Sequence, residues 1–377
     1  MKGSSEGSKH TLNVLSKSFS PKSSASMLPP VSPHKRKFEQ VSQTKDNLSF
    51  SEYTQHFDMK REVGNGSFSV VYQAIKRVKL ESRKPYYCIF KQVQDTSTCS
   101  HLKAGKHYAL KRITCSQNAV NTMKEVKILY LLRGEQHIVK MEGGVRERDA
   151  VTLILDYVAH ASFTTYFRCM VVATVRQFMY KLMVALRNVH KHNIVHRDVK
   201  PANCLFNPSS NEFVLTDFGL AEHTDNIKKQ NRRNVGTRGF RAPELLLESN
   251  DYGCAVDVWS AGIILLSILS CRYPIFQSKE NEAAVAEIIA LFGEEEVKKL
   301  AKKLEKKILF FQNVDFDPPV ITDVDSVKLL CKNLNSINPD LENYPDSVYD
   351  LLFQLLKVDP SERITAEEAL NHEFFKQ

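Results

Sequence analysis

The chain reads as an α+β protein with two lobes, a small β-rich N-terminal lobe and a larger helical C-terminal one. Three observations predict this. Val63, Phe68, Val70, Val71 and Tyr72 are β-branched or aromatic residues around a glycine turn, the pattern of a hairpin, and His107 to Ile113 repeats the strand signal. Beyond about residue 157 the apolar residues recur instead at three- and four-residue steps, the helical period. A chain of 377 residues, 42% of them hydrophobic, is long and apolar enough to bury one two-lobed core and still carry a tail.

Residues 1–50 form that tail. They are rich in Ser, Lys and Pro and poor in aromatics, so they bury too little apolar surface to offset the entropy of ordering, and disorder is expected. The folded domain is expected over 57–377, with the N-terminal lobe at about 57–156 and the C-terminal lobe at about 157–377. The glycine-turn hairpin comes first. An insertion at about 77–106 is too long for a hairpin loop and separates it from the strand His107 to Ile113. Residues 118–132 have helical spacing at Val126, Leu129 and Leu132, and Val151 to Leu155 is a short apolar strand. In the second lobe Val175 to His192 is amphipathic, with Phe178, Leu182, Ala185, Leu186 and Val189 on one face. Val256 to Leu269 is apolar nearly all round, which predicts an interior helix. Residues 293–345 read as a second insertion, and helices Tyr349 to Val358 and Thr365 to Phe375 close the domain.

The 52 basic residues outnumber the 43 acidic ones by nine, which favours acidic or phosphorylated partners. The eight cysteines contain no Cys-x-x-Cys pair, and their scatter fits reduced thiols rather than a disulfide framework. Cys88, Cys99, His101, His107 and Cys115 lie close in sequence but match no zinc spacing, so they are expected to be unligated. The apolar run Ala261 to Leu269 is too short to cross a bilayer. The basic run His34-Lys35-Arg36-Lys37 is a candidate nuclear import signal, giving a nuclear expectation.

The chemistry is carried by three motifs in fixed order: His196-Arg197-Asp198-Val199-Lys200-Pro201-Ala202-Asn203, then Asp217-Phe218-Gly219, then Ala242-Pro243-Glu244. With the glycine turn and a strand lysine ahead of them, they supply a group for each task of phosphoryl transfer, which asks mainly for positioning and charge neutralisation. Gly64-Asn65-Gly66-Ser67-Phe68-Ser69 lets backbone N–H groups approach phosphate oxygens. Lys111 is the candidate cation for the α- and β-phosphates of ATP, and Glu125 its partner on the following helix. Asp198 is the candidate base, Lys200 a neutralising charge, and Asn203 and Asp217 oxygen ligands for Mg²⁺. Val63, Val71, Ala109 and Leu205 are expected to close over the adenine, with Leu155 leading into the connection Asp156 to Val158, whose backbone faces the purine edge. Glu244 and Arg363 are expected to form a buried ion pair beneath the substrate platform, and Asp257 to hold the catalytic-loop backbone.

These residues resemble the eukaryotic protein kinase superfamily over roughly residues 57–377, and Lys200 and Thr237 resemble its serine/threonine branch. The run Gly236-Thr237-Arg238-Gly239-Phe240-Arg241-Ala242-Pro243-Glu244, the Phe68-Ser69 pair and the segments Asp257 to Pro274 and Tyr349 to Phe375 resemble the cell-division-cycle-seven kinases. That resemblance implies the catalytic subunit of DDK, the kinase that phosphorylates the minichromosome-maintenance helicase at replication initiation. It also implies an activating regulatory subunit docked on the smaller lobe and the insertions. One departure is the short segment between Gly219 and Ala242, where the family usually has a long insertion.

Two expectations come from that segment. Residues 220–236 hold a single hydroxyl side chain, Thr224, far from Ala242-Pro243-Glu244, so activity is expected to be switched by a partner rather than by loop phosphorylation. Lys228, Lys229, Arg232 and Arg233, with Arg238 and Arg241 close behind, predict a preference for acidic or phosphorylated residues after the target Ser or Thr. Alternative readings are an acidophilic or cell-cycle kinase of another branch and, in a different class, a pseudokinase scaffold. Lys111, Glu125, Asp198, Asn203 and Asp217 argue against the scaffold, and no nucleic-acid-binding module accompanies the basic residues.

Overall fold

The computed structural model describes residues 56–66, 69–77, 86–88, 93–95, 102–114, 119–146, 150–227, 235–278, 280–306, 321–334 and 343–376. The tail with its basic run, Ser67 and Phe68 of the glycine turn, Cys99, His101 and Cys115, and Lys228, Lys229, Arg232 and Arg233 lie outside the described residues.

The hairpin forms as its residues predict. Strands β1 (Phe57–Asn65) and β2 (Ser69–Lys76) pair antiparallel, with Asn65 opposite Val70 and Gly64 opposite Val71. Two short strands follow, β3 (Tyr86–Cys88) and β4 (Val93–Asp95), and then β5 (His107–Thr114). After helix α1 (Ala119–Leu131) come β6 (Met141–Arg146) and β7 (Ala150–Asp156). All seven strands join one sheet in the order β1-β2-β5-β7-β6-β3-β4. The insertion at 77–106 is therefore partly sheet, since β3 pairs with β4 and also with β6 at the far edge. Runs of three residues are too short for period-2 alternation to register, so the sequence gives no strand signal there.

Strand β5 shows how the sheet sets up the cleft. Tyr108 and Leu110 point to one side, into a small cluster with Phe57, Ala74, Leu102, Val145 and Ile154. Ala109 and Ile113 point to the other, against the main core, and Lys111 shares their face through the period of two. The small lobe thus has its own apolar outer layer and turns a charged lysine inward.

The second lobe is built on α2 (Val172–His190), whose predicted face of Phe178, Leu182, Ala185, Leu186 and Val189 is fully buried. Strand β8 (Ile194–Val195) leads into the catalytic loop, the pair β9 (Cys204–Asn207) and β10 (Glu212–Leu215) follows it, and β11 (Glu222–His223) pairs back on β8. Helix α3 (Ala255–Leu269) is buried at every position from Val256 to Leu269, as an all-round apolar sequence requires. Around it lie α4 (Asn281–Phe292), α5 (Glu294–Lys303), α6 (Val324–Leu334) and α7 (Asp346–Leu355).

The stretch 293–345, read as a second insertion, contributes Val297, Leu300 and Ala301 of α5 and Val327, Leu330, Cys331 and Leu334 of α6 to the main core. One expectation needs correction. The expected helix Thr365 to Phe375 is instead one turn, Ala366–Ala369, and a separate 3-10 turn, Glu373–Phe375. Thr365 opens the first by a reciprocal capping box with Glu368.

Candidate active site

Lys111 lies where the two lobes meet. Its Nζ donates at 2.7 Å to Glu125 Oε1 from α1 and at 2.7 Å to Asp217 Oδ1 from the second lobe. Burial alone would lower the lysine pKa, but the two carboxylates outweigh it and hold the amine above its usual range. Burial also favours the protonated form of Asp217, yet the Lys111 ammonium outweighs this and holds the carboxyl below its ordinary value. The three groups form one charged cluster gathered from β5, α1 and the Asp217-Phe218-Gly219 motif.

The catalytic loop is clamped from behind. Both oxygens of Asp257, fully buried on α3, accept backbone N–H groups, Oδ2 from His196 and Oδ1 from Arg197, each at 2.8 Å. Oδ2 also bonds His190 Nε2 of α2 at 2.9 Å. Asp217 and Arg197 have φ of 64° and 65°, in the left-handed region where a non-glycine residue is held under strain by its surroundings. The His196 ring meets Phe218 edge-on, centroids 4.7 Å apart, and so couples the two motifs through packing.

Four donors then orient Asp198. Oδ1 accepts from the Thr237 N–H at 3.0 Å and from its hydroxyl at 2.5 Å. Oδ2 lies 2.8 Å from Lys200 Nζ and accepts from Asn203 Nδ2 at 3.1 Å. Lys200 also donates to Thr237 Oγ1 at 2.8 Å. Thr237, read in the sequence as a mark of the serine/threonine branch, therefore belongs to the catalytic cluster as well. Because Asn203 spends its amide hydrogens on Asp198, through the backbone carbonyl at 2.8 Å and the carboxylate, its Oδ1 is the atom left to meet a cation. Below this layer Arg363 forks onto Glu244 at 2.9 and 3.1 Å, with both side chains buried as expected.

A cavity of about 340 Å³ opens between the lobes. It is lined by the predicted Val63, Gly64, Asn65, Gly66, Ser69, Val71, Ala109, Lys111, Leu155, Asp156, Val158 and Leu205, together with Glu125, Lys200, Asn203 and Asp217. Leu129, Val139, Tyr157, His160, Ala202 and Thr216 line it too; Tyr157 lies in the predicted connection Asp156 to Val158, while Val139, His160 and Thr216 carried no sequence expectation. One backbone expectation narrows. The Asp156 N–H already donates to the Lys140 carbonyl at 2.9 Å, so it is not a group for the purine. His160 Nδ1 sits 2.9 Å from the Val158 carbonyl, which fixes the ring at the mouth of the cavity.

Among the described residues no group of three or more His, Cys, Asp or Glu forms a protein-only metal cage. Asn203 and Asp217 offer an amide and a carboxylate oxygen. That sparse, hard donor set suits a Mg²⁺ ion held chiefly through substrate phosphates. Beyond the cluster, exposed Arg238 and half-buried Arg241 line a smaller hollow with Phe276, Ser278 and Asn281. Arg241 donates to the Gly236 carbonyl and to Asn281 Oδ1, both at 3.0 Å. Burial and the neighbouring Arg238 charge depress its pKa.

Residues 92–375 match the family model described as protein kinase domain, and the chain belongs to that family. It is an ATP-dependent serine/threonine protein kinase. Its β1–β2 hairpin lies ahead of the matched stretch but in the same sheet. Within the family it is similar to the cell-division-cycle-seven group. A probable cell division control protein 7 homolog of Encephalitozoon cuniculi is 29% identical over 350 residues, covering 83% of this chain and 90% of that relative. The cell cycle protein kinase spo4 of Schizosaccharomyces pombe is 28% identical, covering 87% of each chain. The cell cycle serine/threonine-protein kinase hsk1 of the same yeast is 29% identical over 86% of this chain and 74% of its own length.

Proposed function

We propose that this kinase transfers the ATP γ-phosphate to Ser or Thr in acidic or phospho-primed protein segments, as a DDK-type catalytic subunit. Subunits of the minichromosome-maintenance helicase are the proposed physiological substrates. The observation that carries the reading is the convergence of Lys111, Glu125 and Asp217 beside the Asp198–Lys200–Thr237 cluster.

In this reading Lys111 holds the α- and β-phosphates and Lys200 the γ-phosphate. Asn203 Oδ1 and the Asp217 carboxylate hold Mg²⁺, which when bound neutralises phosphate charge. Val63, Val71, Ala109 and Leu205 sandwich the adenine, and the Val158 N–H serves the purine edge. Asp198 orients the acceptor hydroxyl. As the hydroxyl oxygen bonds to the γ-phosphorus, the bond from that phosphorus to the β–γ bridging oxygen breaks and ADP leaves. The hydroxyl proton passes to Asp198. A pseudokinase scaffold would not need this full set.

Arg238 and Arg241 support the acidic preference, because both follow Thr237 closely in the chain and place positive charge beside the catalytic cluster. The partner is an activating regulatory subunit. Val120, Met123, Tyr130 and Leu131 of α1 are all 47% exposed or more and fall within one arc of the helix, a surface that a partner would cover. The nucleus is the proposed compartment, on the basic run His34 to Lys37.

The test is a peptide series with Ala, Asp, Glu or phosphoserine directly after the acceptor Ser. An acidic or phosphorylated residue should raise kcat/KM about tenfold or more, and Arg238→Ala with Arg241→Ala should erase that gain. Equal rates across the series would remove the acidic specificity and leave the kinase assignment standing.

A further inference from the structure

Arg197, the residue before Asp198, is a buried cation whose neutralisation is already provided. Its Nε donates to the Leu220 carbonyl at 2.7 Å and its Nη1 to the Tyr252 hydroxyl at 3.1 Å. Its Nη2 lies 3.8 Å from Glu222 Oε2, and both side chains are only 1% exposed. Leaving such a buried guanidinium without a counter-charge is strongly unfavourable. In many kinases a phosphate on the activation loop provides that charge. Here the only hydroxyl in residues 220–236 is Thr224, whose backbone N–H is tied to the Asn193 carbonyl at 2.9 Å.

Glu222 does more than face the arginine. Its Oε2 accepts from Lys124 Nζ of α1 at 2.7 Å, and its Oε1 accepts from Asn226 Nδ2 and the His223 N–H, both at 3.2 Å. Lys124 immediately precedes Glu125, which holds Lys111. Glu222 itself pairs with Val195 through β11 and β8, at the root of the catalytic loop. A single carboxylate therefore joins the helix that positions the ATP-binding lysine to the loop that positions the catalytic aspartate. Burial works against its charge, but Lys124, Asn226 and Arg197 outweigh burial and hold the carboxyl below its usual value.

We propose that Glu222 is a positioning residue whose buried carboxylate, held between Lys124 of α1 and Arg197 of the catalytic loop, supplies the anion that sets both without loop phosphorylation. The proposal rests on the phosphotransferase reading and adds to it a fixed internal charge. Lys124 lies one turn from Val120, so the tether borders the exposed arc of α1 that the partner is proposed to cover.

The experiment uses the full chain purified from its own cells with the partners it retains. Initial rates on a Ser peptide are compared for wild type, Glu222→Gln, Glu222→Asp and Lys124→Met with Glu222→Gln, beside Thr224→Ala and phosphatase-treated wild type. Hydrogen exchange of the 119–131 amides is read in parallel. Glu222→Gln keeps the shape and removes the charge, so kcat should fall about tenfold or more while peptide KM changes less than about twofold. Glu222→Asp should recover part of the loss, which a packing role would not predict for the shorter side chain. Adding Lys124→Met to Glu222→Gln should cost little more. The 119–131 amides should exchange faster in Glu222→Gln, and Thr224→Ala and phosphatase treatment should leave kcat unchanged. Wild-type kcat and exchange in Glu222→Gln, or a loss on phosphatase treatment, would overturn the proposal. If wild type transferred no more phosphate than Asp217→Asn, the phosphotransferase reading would fail, and the exchange comparison would still decide the role of Glu222.

Discussion

Gly236 shows how closely single residues are fitted around Asp198. Its φ is +89°, and a Cβ there would stand 2.6 Å from the Arg197 carbonyl oxygen, a backbone atom that cannot swing away. The next residue, Thr237, gives Asp198 two of its four hydrogen bonds. Gly236→Ala is therefore expected to push Thr237 off Asp198, lowering kcat about tenfold or more and destabilising the fold by about 1–3 kcal/mol. Steady-state kinetics and thermal melting check this. At this scale much of the site was legible in the sequence. Lys111, Glu125, Asp198, Asn203 and Asp217 stand in ordered motifs whose spacing is set by strand, helix and loop lengths. Glu222, Thr216 and His160 were not legible. The Glu222–Lys124 contact spans 98 positions, and nothing local to either residue announces the other.

Among the elements, α3 does the bracing. Its apolar sequence buries it, and burial turns Asp257 into a rigid acceptor for the catalytic-loop backbone. Burial raises the Asp257 pKa, but the His190 bond, the nearby His190 and His196 and the His196 N–H outweigh it, so the folded carboxyl lies below its ordinary 3.8. A carboxyl depressed on folding stabilises the protein above its unfolded pKa, and this contribution fades as pH falls through the lower folded value. Asp257→Asn should thus cost about 2–4 kcal/mol near neutral pH. Melting curves across pH should show a constant gap to wild type down to about pH 5 and a shrinking gap below about pH 4. The long helices and strands were legible because their apolar period persists over several turns or pleats. The edge strands β3 and β4 are too short for that. Helices α5 and α6 show their apolar stripes only as brief stretches amid charged residues, so their share of the core was not legible.

Across the whole molecule, the main apolar core runs through both lobes, and two ion pairs also join them: Lys111 with Asp217, and Lys124 with Glu222. Such contacts weaken when either partner is neutralised. The central proposal is that Lys111, Asn203 and Asp217 converge on ATP, from which the γ-phosphate passes to a Ser or Thr hydroxyl oriented by Asp198. Its most direct measurement is the rate of γ-phosphate transfer from labelled ATP to a Ser/Thr protein substrate by the full chain with its retained partners, wild type against Asp217→Asn. The expected result is a fall of about a hundredfold or more. A variant that keeps the wild-type rate would contradict it.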